Sequence, residues 1–202
     1  LTNLINSKNI IGFEIDPILC RNLKDNQIKN FTCINQDILE VNLENYKFDK
    51  VIGNLPYYIS SQIIFKLLKN NLWDIAIFMV QKELADRITA SEGSRQYGRI
   101  SVMIQACCDV KKEFNVSPNC FFPKPRITSS ILTFKKKKIQ NFNFDILEKV
   151  VKKCFSQRRK KIKNTLEEIT NHIELNEFFE NRPEMLSSDE FIKISNIVEF
   201  NE

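Results

Sequence analysis

The chain has 202 residues, 43% of them hydrophobic and 27% charged, with a formal net charge of +5. That balance excludes a disordered or fibrous chain, and the length suits one domain of ordinary size with a smaller one beside it. No apolar run reaches the length of a membrane span and no signal-peptide pattern occurs, so no membrane partner is expected. The six cysteines form no C-x-x-C pair and there is a single histidine, a pattern that suggests reduced thiols rather than a zinc site or a disulfide framework, and with them a cytosolic or organelle-matrix setting.

In chain order, residues 9–16 read as a buried strand ending in the acids Glu14 and Asp16. Residues 17–29 read as an amphipathic helix with Pro17 in its first turn and Asp16 as its N-cap. A second strand covers 31–35 and is followed by Asp37 and Ile38. An acid at a strand end of a doubly wound sheet is suited to a ribose hydroxyl pair, and Glu14 is the better candidate. Asp37, at the next strand end, can accept from an adenine amine.

The apolar run 48–52 reads as a buried parallel strand, stopped by Asn54-Leu55-Pro56-Tyr57-Tyr58. Ligands collect outside the carboxyl ends of such strands, which singles out Asn54 and Tyr57. An Asn amide offers an acceptor and a Tyr offers a flat stacking face. Together they suit a planar ring bearing an exocyclic amine. That amine is a poor nucleophile because its lone pair is delocalised. Acceptors on the Asn54 side chain and the Leu55 carbonyl can hold its hydrogens and turn the lone pair towards an electrophile.

Further on, the pattern predicts a helix over 60–70 capped by Ser60 or Ser61, a strand over 73–80 and a helix over 81–89. A polar loop at 93–99 precedes a buried helix over 100–107 and a strand over 109–116. A Pro- and Phe-rich loop at 118–125 leads into an alternating strand over 127–134, antiparallel to its predecessor. This is an α/β domain, and its boundary is expected between 136 and 137. Helices over 145–154, 160–170, 173–181 and 188–198 then form a small C-terminal all-α domain. Residues 135–164 hold 12 basic and 2 acidic side chains, and residues 165–202 hold 2 basic and 10 acidic. The basic stretch, including the run from Lys135 to Lys138, is the footprint of a nucleic-acid surface.

Several motifs, in order, resemble the KsgA-type ribosomal RNA adenine dimethyltransferases. They are Asn54-Leu55-Pro56-Tyr57, Gln81-Lys82-Glu83 with Ala85-Asp86-Arg87, Gly93-Ser94 with Tyr97-Gly98-Arg99, and the loop from Phe121 through Pro123, Pro125 and Arg126 to Ser129. Phe155 to Lys161, Asn164 and Arg182 to Ser187 follow. The resemblance implies a Rossmann-like class I methyltransferase sheet and transfer of methyl groups from S-adenosylmethionine to N6 of two adjacent adenosines near the 3′ end of small-subunit ribosomal RNA. Carried over, Glu14 would hold the cofactor ribose, Asp37 and Ile38 its adenine, and Asn54 would belong to both the cofactor and the target site. Asn54 and Leu55 would grip the target amine, and Tyr57 and Phe121 would sandwich the extruded base. Arg126, Arg158, Arg159, Lys160 and Lys161 would contact RNA in a precursor of the small subunit, with the enzyme acting as a monomer.

The family begins with a strand and a Gly-rich cofactor loop, whereas no G-x-G occurs here and Leu1-Thr2 resembles the residues after that loop. The expectation is therefore a sheet with its first strand missing, the absent strand belonging between those ending at Glu14 and Asn54. Two other readings compete. One is a large-subunit RNA resistance methyltransferase, against which Arg158-Arg159 and Arg182-Pro183-Glu184 speak. The other is a non-catalytic nucleic-acid-binding relative such as an organellar transcription factor, against which the intact Asn54 to Tyr57 speaks.

Overall fold

A computed structural model describes residues 9–26, 28–70, 72–138, 141–166, 177–178 and 180–198. The chain forms two compact units, residues 1–47 and 48–202.

In the first unit, β1 (Ile10–Glu14) and β2 (Phe31–Asn35) pair in parallel, with Glu14 opposite Asn35. They are joined by α1 (Pro17–Asp25). Asp16 starts that helix as its sequence suggests: its side chain accepts from the backbone N–H groups of Ile18 and Leu19, with Pro17 behind it in the first turn. Cys20, Cys33, Val41 and Leu43 are buried, and Phe13 meets Tyr46 edge-on at 5.3 Å.

In the second unit the sheet order is β3 (Lys50–Asn54), β4 (Ile75–Gln81), β6 (Ser129–Lys136), β5 (Cys108–Val116). The β3–β4 pair is parallel and both pairs involving β6 are antiparallel. Among the described residues β1 pairs with β2 alone and β3 with β4 alone. β3 is accordingly less buried than its apolar sequence predicts, and Ile52 is 46% exposed. Helix α2 (Ser60–Lys69) connects β3 to β4, and α3 (Lys82–Ile88) and α4 (Arg99–Cys107) lie between β4 and β5. Neither Ser60 nor Ser61 caps α2. Ile59 stands at the cap without a side-chain bond, and Ser60 Oγ donates back to the Pro56 carbonyl at 2.8 Å.

The remaining helices are α5 (Phe144–Ser156), α6 (Ile162–Leu166) and α7 (Ser188–Ile197). α7 opens on a capping box between Ser187 and Glu190. Val102, Met103 and Ala106 of α4 share one buried core with Leu147, Val150, Val151, Phe191 and Ile194, so the C-terminal helices continue the core of the second unit. The helix expected over 173–181 falls largely outside the described residues, as do residues 1–8. Among the described residues no helix is long and apolar enough to cross a membrane.

Lys136, inside the expected basic surface, faces the protein. It donates to the Asn70 carbonyl and lies 5.0 Å from the centre of the Trp73 ring, and burial pushes its pKa down. Trp73 Nε1 donates to the Leu67 carbonyl at 2.8 Å, so both side chains serve the open end of α2.

Candidate active site

The site begins where β3 ends. Asn54 is its last residue and is exposed, while Leu55 is buried and its N–H donates to the Met79 carbonyl at 3.1 Å. That bond carries the ladder one residue past the strand and holds the Leu55 peptide still. The proline then ends the pairing. The Pro56 carbonyl accepts from the Ile59 N–H at 3.2 Å, closing a turn that presents Tyr57 half-buried and Tyr58 82% exposed. Gly53 is needed for this path: a Cβ there stands 2.8 Å from Leu55 Cδ2.

The facing wall comes from the loop between β5 and β6. Ser117 starts a short 3-10 turn over Pro118–Cys120, and the Phe121 N–H donates to the Pro118 carbonyl at 3.2 Å. At the far end, the Lys82 N–H donates to the Thr128 carbonyl at 2.9 Å, and β6 begins at Ser129 rather than 127. Between these anchors Phe121 is half-buried, Phe122 is fully exposed and the Phe122–Pro123 peptide is cis.

The two walls enclose an open pocket of about 370 Å³, lined by Asn54 to Tyr57 from the turn and by Phe121, Phe122, Pro123 and Pro125 from the loop. That is the size range of small-ligand sites. Asn54, Leu55, Tyr57 and Phe121 thus meet in one place although Phe121 is far along the chain. One lining residue, Phe122, and one residue behind the pocket, Ser129, lie in the loop motif but take no role from sequence. Phe122 is the second of a Phe pair whose exposure no periodicity reveals. Ser129 lies behind the pocket, its Oγ 2.6 Å from the Tyr57 hydroxyl.

The other named residues are placed as follows. In the first unit Glu14 ends β1, and its Oε1 accepts from the Asp16 N–H at 2.9 Å. Asp37 follows β2, and its Oδ1 accepts from the Leu39 N–H at 2.8 Å, with half-buried Ile38 between them. In the second unit Arg126, Arg159 and Lys160 are exposed. Arg158 is turned onto the protein instead, donating to the carbonyls of Arg95 at 3.0 Å and Ser94 at 3.2 Å. Lys161 pairs with Glu180, as does Lys163, and their hydrogen bonds pull the Glu180 carboxyl down to about 2. Five of the six cysteines are buried; burial pushes the Cys107 thiol up to about 11 and that of Cys154 to about 12, as inert core thiols require.

The α/β fold, with an amide, a proline and an aromatic at the end of a parallel strand, is that of a class I methyltransferase, as its likeness to solved structures shows. The solved dimethyladenosine transferase of Plasmodium falciparum superposes on 96% of this chain and 85% of its own, with a TM-score of 0.82 and 27% identity. A 23S rRNA methyltransferase, ErmE, has a TM-score of 0.67 over 93% of this chain and 83% of its own at 19% identity, which speaks for the fold. The family model described as ribosomal RNA adenine dimethylase matches residues 1–199, and the chain belongs to that family. It is 40% identical to the ribosomal RNA small subunit methyltransferase A of Malacoplasma penetrans, over 95% of this chain and 74% of the relative. With the protein of that name from Borreliella burgdorferi it shares 42% over 96% of this chain and 72% of the relative.

Proposed function

We propose that this chain transfers methyl groups to N6 of two adjacent adenosines near the 3′ end of small-subunit ribosomal RNA, with S-adenosylmethionine as donor. The observation that carries the reading is the pocket in which Asn54 and Leu55 meet Tyr57 and Phe121. Extruding a base costs a few kcal/mol, and stacking between two aromatic faces offsets much of it. The Asn54 side-chain oxygen and the Leu55 carbonyl accept the two amine hydrogens and turn the lone pair out of the ring plane. This works by position and electrostatics, without a strong base. Among the described residues Tyr57 is the one ionisable side chain lining the pocket, so the proton released on methylation leaves to water.

S-adenosylmethionine, when bound, supplies an activated methyl group on sulfur. The acids of the first unit suit it. Glu14 spends Oε1 on the Asp16 N–H and keeps Oε2 for a ribose hydroxyl. Asp37 spends Oδ1 on the Leu39 N–H and keeps Oδ2 for an adenine amine, with the Ile38 backbone beside it.

Exposed Arg126, Arg159 and Lys160 provide phosphate contacts on a small-subunit precursor, which the chain meets as a cytoplasmic monomer. Lys161 joins them only by leaving Glu180, and Arg158 holds its loop. The small-subunit methyltransferases at 40% and 42% identity favour this substrate over large-subunit RNA, and the intact pocket favours catalysis over a binding-only relative. The test is labelled methyl transfer to undermethylated small subunits. Asn54→Ala should lower turnover by about tenfold to a hundredfold, with cofactor affinity changing less than turnover; near-normal turnover overturns the assignment.

A further inference from the structure

We infer that Ser129 is a positioning residue for the target base: it holds Tyr57 by its hydroxyl and ties the two aromatic walls of the pocket to one strand. The inference rests on the adenine-methyltransferase reading above. The Tyr57 hydroxyl and Ser129 Oγ are 2.6 Å apart, a short and well-formed O–H···O bond. Ser129 is fully buried. It is the first residue of β6 and pairs with Gln81 of β4 on one side and Val116 of β5 on the other. Its backbone is therefore fixed on both flanks. The adjacent hydroxyl, that of buried Ser130, is committed to Asn115 at 2.7 Å.

Tyr57 sits in a turn, where neither a helix nor a ladder fixes its ring. Pinned at the hydroxyl, the ring keeps its face towards the pocket before any base arrives. A base that stacks on a ring already in place avoids much of the cost of ordering that side chain. The same strand start anchors the opposite wall, because the loop bearing Phe121 runs directly into Ser129 and is clamped there by the Lys82–Thr128 backbone bond. One residue thus sets the spacing of Tyr57 and Phe121. This also accounts for a tyrosine where a phenylalanine would stack as well: the hydroxyl is the handle.

The test is a double-mutant cycle of Ser129→Ala and Tyr57→Phe in the purified protein, read as kcat/KM for undermethylated small subunits, as cofactor affinity and as melting temperature. Tyr57→Phe breaks the same bond without touching the buried strand, so it stands even if Ser129→Ala folds poorly. Each single variant should lose about fivefold to thirtyfold in kcat/KM, the scale of one positioned hydrogen bond. The double variant should match the worse single, because both remove one interaction. Cofactor affinity should not change. Additive losses, or a Ser129→Ala enzyme with unchanged kcat/KM, overturn the inference while leaving the reading intact. A wild-type protein that transfers no methyl group to those subunits overturns the reading and the inference with it.

Discussion

Gly53→Ala tests how packing behind the pocket reaches the chemistry. The added Cβ stands 2.8 Å from Leu55 Cδ2 and 3.4 Å from Phe78 Cδ1. Leu55 is 7% exposed and Phe78 1%, so neither side chain can swing into solvent to relieve the clash. Two terms oppose each other. Alanine in a strand recovers roughly 0.5–1 kcal/mol of conformational entropy relative to glycine. Overpacking a core of this kind costs about 1–3 kcal/mol. The second term wins, leaving a net loss of about 1 kcal/mol, or about 2–4 °C in melting temperature for a protein of this size. Activity should fall further than stability does. The added methyl pushes on Leu55, whose carbonyl is proposed to accept from the target amine, and a displacement of about 1 Å at such a group costs about a hundredfold. The Leu55–Met79 backbone bond limits the shift, so a loss of about tenfold in turnover is expected. Thermal melts and methyl transfer are measured side by side. A variant as stable and as active as wild type refutes the packing account. One that loses stability yet keeps its turnover severs the link from Leu55 to catalysis.

The Tyr97 hydroxyl is fully buried with no hydrogen-bond partner among the described residues; Tyr97→Phe should therefore stabilise the protein by about 1 kcal/mol, seen as a higher melting temperature, and a lower one would refute the idea that the hydroxyl is an uncompensated burden. At Asp86, burial acts to raise the pKa, but hydrogen bonds from Lys112 and Lys82 outweigh it and leave the carboxyl below its ordinary value. Its folded pKa is depressed, so its stabilisation is complete above about pH 4 and is lost as pH falls through the folded value. Melting curves across the acid range should show the gap between wild type and Asp86→Asn closing at low pH; a constant gap refutes the ion-pair account. Replacing Arg159 and Lys160 by Gln should flatten the plot of log RNA affinity against log salt, by about 0.7 for each phosphate no longer neutralised on single-stranded RNA. Arg158→Gln should leave that slope alone and lower the melting temperature, because it gives up bonds to the Ser94 and Arg95 carbonyls; the reverse pattern would return Arg158 to the RNA surface.

The features legible in the sequence are those settled within a few residues of chain. Asp16 caps the helix that Pro17 opens because both act on N–H groups two or three residues away. The strand over 31–35 is read to the residue, and Asn54 stands at a strand end because the proline behind Leu55 cannot extend a ladder. What the tertiary structure alone decided are the meetings between distant segments. Phe121 and Tyr57 line one pocket, and Ser129 reaches the Tyr57 hydroxyl, only once β6 has inserted between β4 and β5. Arg158 and Lys136 look in sequence like any other surface cations, and each donates to backbone carbonyls that the fold brings within reach, those of Ser94 and Arg95 in a loop and of Asn70 at a helix end. A change in composition marks where a new set of helices begins, but whether those helices form their own core is fixed by which apolar faces meet, and here they meet those of α4.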